Sequence, residues 1–145
     1  MLRPMTRILQ TTAAFLLCAS ATAVAQPMWE MSDRWTCTME MHMIANLRDK
    51  KASDTGRTNS FEIDFLAGTR TSGFVDTVGQ ITERRYVESV YGRFNMFTVE
   101  WDGQPYPNMI VETGGEFWET SASGHSSSDR EVWISNYRCE PRTTG

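Results

Sequence analysis

The chain has 145 residues, of which 40% are hydrophobic and 22% are charged, and its formal net charge at pH 7 is −4. This length suits one compact domain and is short for two. The hydrophobic and aromatic content is too high for a chain that is disordered throughout. The sequence therefore indicates one small folded domain, and it contains no motif that names a reaction or a ligand.

The first 25 residues have the layout of a secretory signal peptide. Arg3 and Arg7 are the charged residues of this segment, an apolar stretch follows them, and an A-x-A pattern ends at Ala25. Signal peptidase cleaves after such a pattern, and the apolar stretch is too short for a stable membrane span. We therefore predict a signal peptide at 1–25 and a single β-barrel-like domain at 26–145, located in the periplasm or secreted.

Cleavage changes the charge and the cysteine count of the domain. Residues 1–25 carry two basic and no acidic residues, so the mature chain has 120 residues and a net charge of −6. An acidic domain without a basic stripe repels phosphate backbones, so we do not expect nucleic-acid binding.

Cys18 leaves with the signal peptide. Cys37 and Cys139 remain, and in an oxidising compartment they predict a disulfide rather than a metal-binding or catalytic pair, because no C-x-x-C spacing is present.

The mature sequence has the periodicity of short strands. Trp35, Cys37, Met39, Met41 and Met43 alternate with polar residues, as expected for a strand with one buried face. Similar segments lie at 61–65, 69–74, 81–91, 93–101, 109–113, 116–122 and 131–139. They predict an all-β fold, a small antiparallel barrel or sandwich of about seven or eight strands closed by the disulfide.

Turn and loop signals separate these segments. Asp102-Gly103 and Gly114-Gly115 suit two-residue hairpin turns, because both positions of such turns need a positive φ. The polar stretch 46–59 is predicted to be a loop, with one helical turn near 47–52. No segment shows a helical period over a helical length.

Two further loops are candidate binding sites. In 104–108, Tyr106 stands between two prolines, and a stiff loop loses little entropy on binding. In 121–129, Ser123 and His125 belong to a Ser/Gly-rich loop that would lie at the mouth of a barrel. The alternatives are a turn whose Tyr106 covers the barrel end, and a plain hairpin tip.

Methionines surround a histidine in the first strand. The segment 39–43 looks like the ligand strands of small periplasmic copper chaperones of β-barrel form, which would imply Cu(I) held by Met39, Met41, Met43 and His42. A regular strand, however, turns His42 to the face opposite the three methionines, and no second His-x-Met motif follows. We favour methionines that fill the core, with Cu(I) as the alternative and no other cofactor.

The sequence offers no convincing catalytic residues. His125, Ser126–Ser128 and Asp129 contain the residue types of a nucleophilic triad, but neighbours in one loop do not adopt triad geometry. Glu116 and Glu119 have an odd spacing and face opposite sides of a strand. We therefore predict that the protein is not an enzyme.

Three short pieces resemble parts of small envelope β-barrels that inhibit C-type lysozymes. These pieces are Trp35-Thr36-Cys37, Ser121-Ala122-Ser123-Gly124 and Tyr137-Arg138-Cys139. The resemblance implies a loop that enters a hydrolase cleft, with Ser123 and His125 as the first residues to test. The mature charge of −6 would attract a basic lysozyme.

These features together predict an exported, non-enzymatic binding domain. Its partner would be a small apolar ligand or a protein, and inhibition of an envelope hydrolase and binding of Cu(I) are the alternatives. The barrel interior separates them: a packed interior leaves only the loops as a site, a cavity indicates a ligand, and methionine together with histidine indicates a metal.

Overall fold

The structure is a computed structural model that describes residues 24–124 and 131–142. Within these ranges the chain forms one short helix and nine strands, which confirms the predicted all-β fold. The elements are α1 (Met28–Met31), β1 (Arg34–Asn46), β2 (Lys51–Asp54), β3 (Ser60–Asp64), β4 (Thr69–Thr71), β5 (Val78–Ser89), β6 (Gly92–Trp101), β7 (Gln104–Thr113), β8 (Glu116–Gly124) and β9 (Glu131–Pro141). Most of the predicted signal peptide (1–23) and the segment 125–130, with His125 and the Ser126–Asp129 group, lie outside the described residues.

Eight of the strands close into an antiparallel barrel. Strands β3 to β9 follow one another in chain order, and β1 pairs with both β3 and β9. The closing ladder is long, from Trp35↔Pro141 to Asn46↔Glu131. The extra strand, β2, pairs with the second half of β1. It lies on the same edge of β1 as β3, which pairs with the first half. Among the described helices, none is long and apolar enough to cross a membrane.

The predicted disulfide lies in the closing seam. Cys37 and Cys139 are direct partners in the β1–β9 ladder, and they are joined by a disulfide bond. Both side chains are buried. The covalent link therefore fixes the first and last strands to each other in register.

Both predicted two-residue turns are confirmed. Asp102 and Gly103 have φ values of 50° and 76°, and Gly114 and Gly115 have values of 60° and 82°. Two successive positive φ values are the signature of a type I′ hairpin turn. These turns fix which residues of β6, β7 and β8 face each other.

A packed apolar core surrounds the first half of β1. Its buried residues are Met28, Trp35, Cys37, Met39, Phe61, Ile63, Phe65, Phe97, Val99, Ile110, Phe117, Tyr137 and Cys139. The short helix α1 belongs to this core, because its Met28 is fully buried and the Met28 N–H donates to Asn95 Oδ1 at 2.8 Å. The indole Nε1–H of Trp35 in turn donates to the Met28 carbonyl at 3.1 Å. The N-terminal segment is thus held by hydrogen bonds as well as by apolar burial.

Two of the predicted loops are wrong. Within 46–59 the chain makes a turn at 47–50, forms β2 and then has no regular structure at 55–59, so a strand interrupts the predicted loop and the expected helical turn is absent. The segment 104–108 is the first half of β7 and pairs with β6. Strand β4 is also shorter than the predicted segment 69–74, since it ends at Thr71.

We expect the disulfide to contribute strongly to stability. The Cys37→Ala/Cys139→Ala variant frees a loop with a sequence separation of 102. The chain-entropy model gives about 4–5 kcal/mol for such a loop, as an upper limit. Urea unfolding of the oxidised wild type and of this variant measures the difference. A loss below about 1 kcal/mol would show that the β1–β9 ladder closes the barrel without the covalent link.

Candidate functional site

A cleft opens in the barrel wall between β7 and β8. Their ladder runs from Thr113↔Glu116 to Ile110↔Glu119, and no further pair of these strands is found among the described residues. Both strands nevertheless continue, β7 back to Gln104 and β8 on to Gly124. Each remains paired with its other neighbour, β6 or β9. The first half of β7 and the second half of β8 are therefore the two lips of the cleft.

Two prolines prevent the first part of β7 from pairing with β8. Successive residues of an antiparallel strand direct their N–H and C=O groups to opposite neighbours, and the two residues that flank a two-residue turn bond to each other. Counting from both turns, Pro105 and Pro107 occupy positions whose N–H groups would point to β8. Proline has no N–H, so β7 cannot donate there. The Pro-Tyr-Pro sequence is compatible with pairing to β6 and incompatible with pairing to β8.

The cleft has a volume of about 490 Å³ and a mixed lining. Its walls combine aromatic rings, small polar side chains and one ion pair. The lining residues are Phe61, Arg70, Ser72, Gly73, Phe74, Trp101, Pro107, Asn108, Met109, Glu119, Thr120, Ser121, Ala122 and Tyr137.

Arg70 connects β4 to both lips of the cleft. Its Nη1 donates to Asn108 Oδ1 on β7 at 2.7 Å, and its Nη2 donates to Glu119 Oε1 on β8 at 2.8 Å. The guanidinium also lies over the Phe61 ring, with Cζ 3.9 Å from the ring centroid. One side chain thus links the two strands that the prolines keep apart.

The ion pair has two unused polar atoms. The side chain of Glu119 is 7% exposed and that of Arg70 is 15% exposed. Arg70 Nε and Glu119 Oε2 are buried without a hydrogen-bond partner among the described residues. One is a donor and the other an acceptor, and leaving such groups unsatisfied costs about 1–3 kcal/mol each. Both atoms lie beneath the surface of the cleft, with less than 1 Å² exposed each.

Burial determines the titration of this site. It raises the pKa of Glu119, and the charge and hydrogen bond of Arg70 offset part of that rise. It lowers the pKa of Arg70, but a guanidinium remains protonated at physiological pH, so Glu119 faces a full positive charge. Burial also raises the pKa of Tyr137, which keeps the phenol neutral.

Aromatic rings form the apolar part of the walls. Phe61 and Tyr137 make an edge-to-face pair with ring centroids 5.0 Å apart. Trp101 lies directly over Gly79, where an added Cβ would be 2.8 Å from the indole ring. Because both the ion pair and the rings are fixed by packing, the cleft offers a preformed surface.

Two of the predicted binding residues lie on the strands that border the cleft, but neither lines it. Tyr106 lies on the β7 lip and is 52% exposed, and Ser123 lies on the β8 lip and is exposed. Continuing the β7–β8 register would place them opposite each other. Both are on strands rather than in loops, and His125 lies outside the described residues.

The methionines do not share one face as predicted. A β-bulge between Met39 and Met41 shifts the alternation of β1 relative to β9. Met39 and His42 are consequently buried, whereas Met41 and Met43 are half-buried. His42 Nδ1 lies 2.7 Å from Thr55 Oγ1, so a hydroxyl already occupies one ring nitrogen. Among the described residues, no group of three or more His, Cys, Asp or Glu side chains could hold a metal ion.

Sequence reasoning missed the ion pair. The odd spacing correctly separates exposed Glu116 from buried Glu119, and Glu119 shares the inward phase of Phe117. This shared alternation with Phe117 is the feature of the sequence that could have predicted a buried carboxylate at Glu119. Its partner, Arg70, lies 49 residues earlier in the chain, and no local pattern joins the two.

Comparisons with known proteins give no assignment. No family model, no curated protein and no solved structure matches the chain.

We expect Arg70→Met to destabilise the fold in a pH-dependent way. The variant leaves buried Glu119 without its cation, which raises the folded-state pKa further above the unfolded value of about 4.3. The penalty grows as pH rises between these two values and is largely absent at and below the lower one. Urea unfolding should show a loss of about 3–5 kcal/mol at pH 7 and less than half of that at pH 4.

The control for this experiment is Arg70→Met/Glu119→Gln. It has no carboxylate in the cleft, so it should lack the extra loss of stability that Arg70→Met shows between pH 4 and pH 7. An equal loss for Arg70→Met at pH 4 and pH 7 would mean that Glu119 is not the titrating group.

We expect Pro105→Val/Pro107→Val to close the cleft. The variant supplies two N–H donors directed at β8, so the β7–β8 ladder should extend past Ile110. Amide hydrogen exchange of Ala122, followed by NMR, should slow at least about tenfold, because the extended ladder places its N–H against the carbonyl group of residue 107. Tyr106→Val is the matched control, since its N–H faces β6. Unchanged exchange in the double variant would contradict the role of the prolines.

Proposed function

We propose that the protein is an exported, non-enzymatic binding domain whose ligand occupies the cleft between β7 and β8. The observation that carries this proposal is a cleft of about 490 Å³ whose lining combines aromatic rings, small polar side chains and a largely buried ion pair. A concave site with an apolar lining and a few fixed polar groups is typical of a ligand-binding pocket.

The lining defines the chemistry of the ligand. The hydroxyl groups of Ser72, Thr120 and Ser121 in the lining can bond to polar groups of a ligand. The rings of Trp101 and Tyr137 favour a ligand that also has an apolar face. The predicted purely apolar ligand is therefore disfavoured, since it would cover these hydroxyl groups without bonding to them.

The composition of the cleft supports binding rather than catalysis. Its described lining contains one carboxylate and neither histidine nor cysteine. That carboxylate is already engaged by Arg70 through Oε1.

The disulfide supports export. Cys37 and Cys139 are bonded in the closing seam, and such bonds persist in oxidising compartments. The signal-peptide pattern at 1–25 and this bond agree on a periplasmic or secreted location. Lysozyme inhibition and Cu(I) binding stay predictions from the sequence.

Native mass spectrometry of protein purified from the cell envelope tests the proposal. The wild type should retain a bound mass, and Glu119→Gln should lose at least about nine-tenths of its occupancy, because the ion pair that fixes Arg70 to the β8 side of the cleft is lost. Glu100→Gln, a change of an exposed carboxylate on β6, is the matched control and should keep the ligand. No retained mass in the wild type, or equal retention in Glu119→Gln, would refute the proposal.

A further inference from the structure

We propose that Gln26 is a modification site, whose side chain closes onto the α-amino group that removal of the signal peptide creates and forms pyroglutamate. This inference rests on the export that we propose above and adds a chemical step that follows it. Three features carry it: the position of the cleavage motif, the free side chain of Gln26, and the burial of a residue close to the new end of the chain.

The cleavage motif makes Gln26 the first residue of the mature chain. Ala23, Val24 and Ala25 form the A-x-A pattern, and signal peptidase cuts directly after it. Val24 is 83% exposed, whereas Gln26 is half-buried. The motif therefore lies at the point where the chain leaves the domain.

A glutamine at a free amino terminus can form a ring without any other reactant. The α-nitrogen attacks the amide carbon Cδ and forms a new C–N bond, the bond from Cδ to Nε2 breaks, and Nε2 leaves as ammonia with a proton from the α-nitrogen. The product is a five-membered lactam, so its bond angles are close to unstrained. The step also removes the positive charge of the terminus, and a half-buried charge is costly.

The fold leaves the side chain of Gln26 free for this step. Among the described residues, Gln26 takes part in no hydrogen bond, while both residues that follow it are engaged. The carbonyl group of Pro27 accepts from the Glu30 N–H at 3.0 Å, and the Met28 N–H donates to Asn95 Oδ1 at 2.8 Å. Ring closure therefore breaks no hydrogen bond of the docked N-terminal segment.

The new terminus lies only two residues before the core. Met28 is fully buried, and its carbonyl group accepts from the Trp35 indole at 3.1 Å. Removal of three residues from the mature end would delete the Met28 side chain and leave a cavity in the core, which is strongly destabilising. Aminopeptidases require a free α-amino group, and pyroglutamate has none. The ring therefore protects a segment on which the core depends.

The test is the intact mass of protein that is purified from the cell envelope and kept for several days at physiological temperature and pH. In at least about nine-tenths of the molecules, the mass should equal that of residues 26–145 with one disulfide, less one molecule of ammonia. Edman degradation of this material should give no sequence, because the reaction needs a free α-amino group. Tandem mass spectrometry of the N-terminal peptide should place the loss on Gln26.

Gln26→Asn is the matched control, since its side chain is one methylene shorter and would have to close a strained four-membered ring. Pro27 has no N–H, so the new amide cannot form a succinimide with the next residue either. The variant should keep the mass of the ammonia, and Edman degradation should read asparagine, proline and methionine. An aminopeptidase that removes residues before proline should shorten the variant and leave the wild type unchanged, and equal results for the two proteins would overturn the protective role.

The outcomes separate the inference from the export on which it rests. Wild-type protein that begins at Gln26 and keeps its ammonia would overturn the cyclisation and leave the export intact. A cut at another position would have the same meaning. Envelope protein that retains residues 1–25 would refute the signal peptide and the inference together.

Discussion

A single buried guanidinium holds the open side of this barrel together. Arg70 reaches from β4 to Asn108 on one lip of the cleft and to Glu119 on the other, and it stacks on Phe61. Without Arg70, the distance between β7 and β8 beyond their ladder would depend only on β6 and β9, with which these strands still pair. The pair also carries a desolvation cost, because both charges are largely withdrawn from water. A residue pair of this kind is weak evidence for stability and stronger evidence for a site.

The cleft forms where the covalent structure of two prolines prevents the sheet from closing completely. A closed barrel removes all strand edges, and the long β1–β9 ladder with its disulfide closes this one at the seam. Prolines at 105 and 107 reopen the wall at another point, because they take away the donors that β8 would need. Because the β1–β9 seam is closed, the barrel stays intact although β7 and β8 separate over part of their length.

The alternation of apolar residues predicts much of the fold. It identifies the strands around Trp35, Phe61, Phe97 and Tyr137, and Asp-Gly and Gly-Gly predict two hairpin turns. It fails at Glu40, because a bulge is a one-residue event that no period reveals. The alternation also fails to identify the strand at Pro105–Pro107. Prolines are typical of turns, but they also occur in a strand that pairs on one side only, so the sequence does not distinguish a strand from a loop here. The Arg70–Glu119 pair depends on tertiary register, which only the closed barrel supplies.

The central claim is that β7 and β8 separate beyond Ile110 and leave the edge of β8 free. Amide hydrogen exchange of the ligand-free wild-type protein measures this directly, residue by residue. The amide of Ala122, which is directed to β7, should exchange at least about a hundredfold faster than that of Ser121, which faces β9. Equal protection of Ser121 and Ala122 would show that the two strands pair along their whole length and that the cleft does not exist in solution.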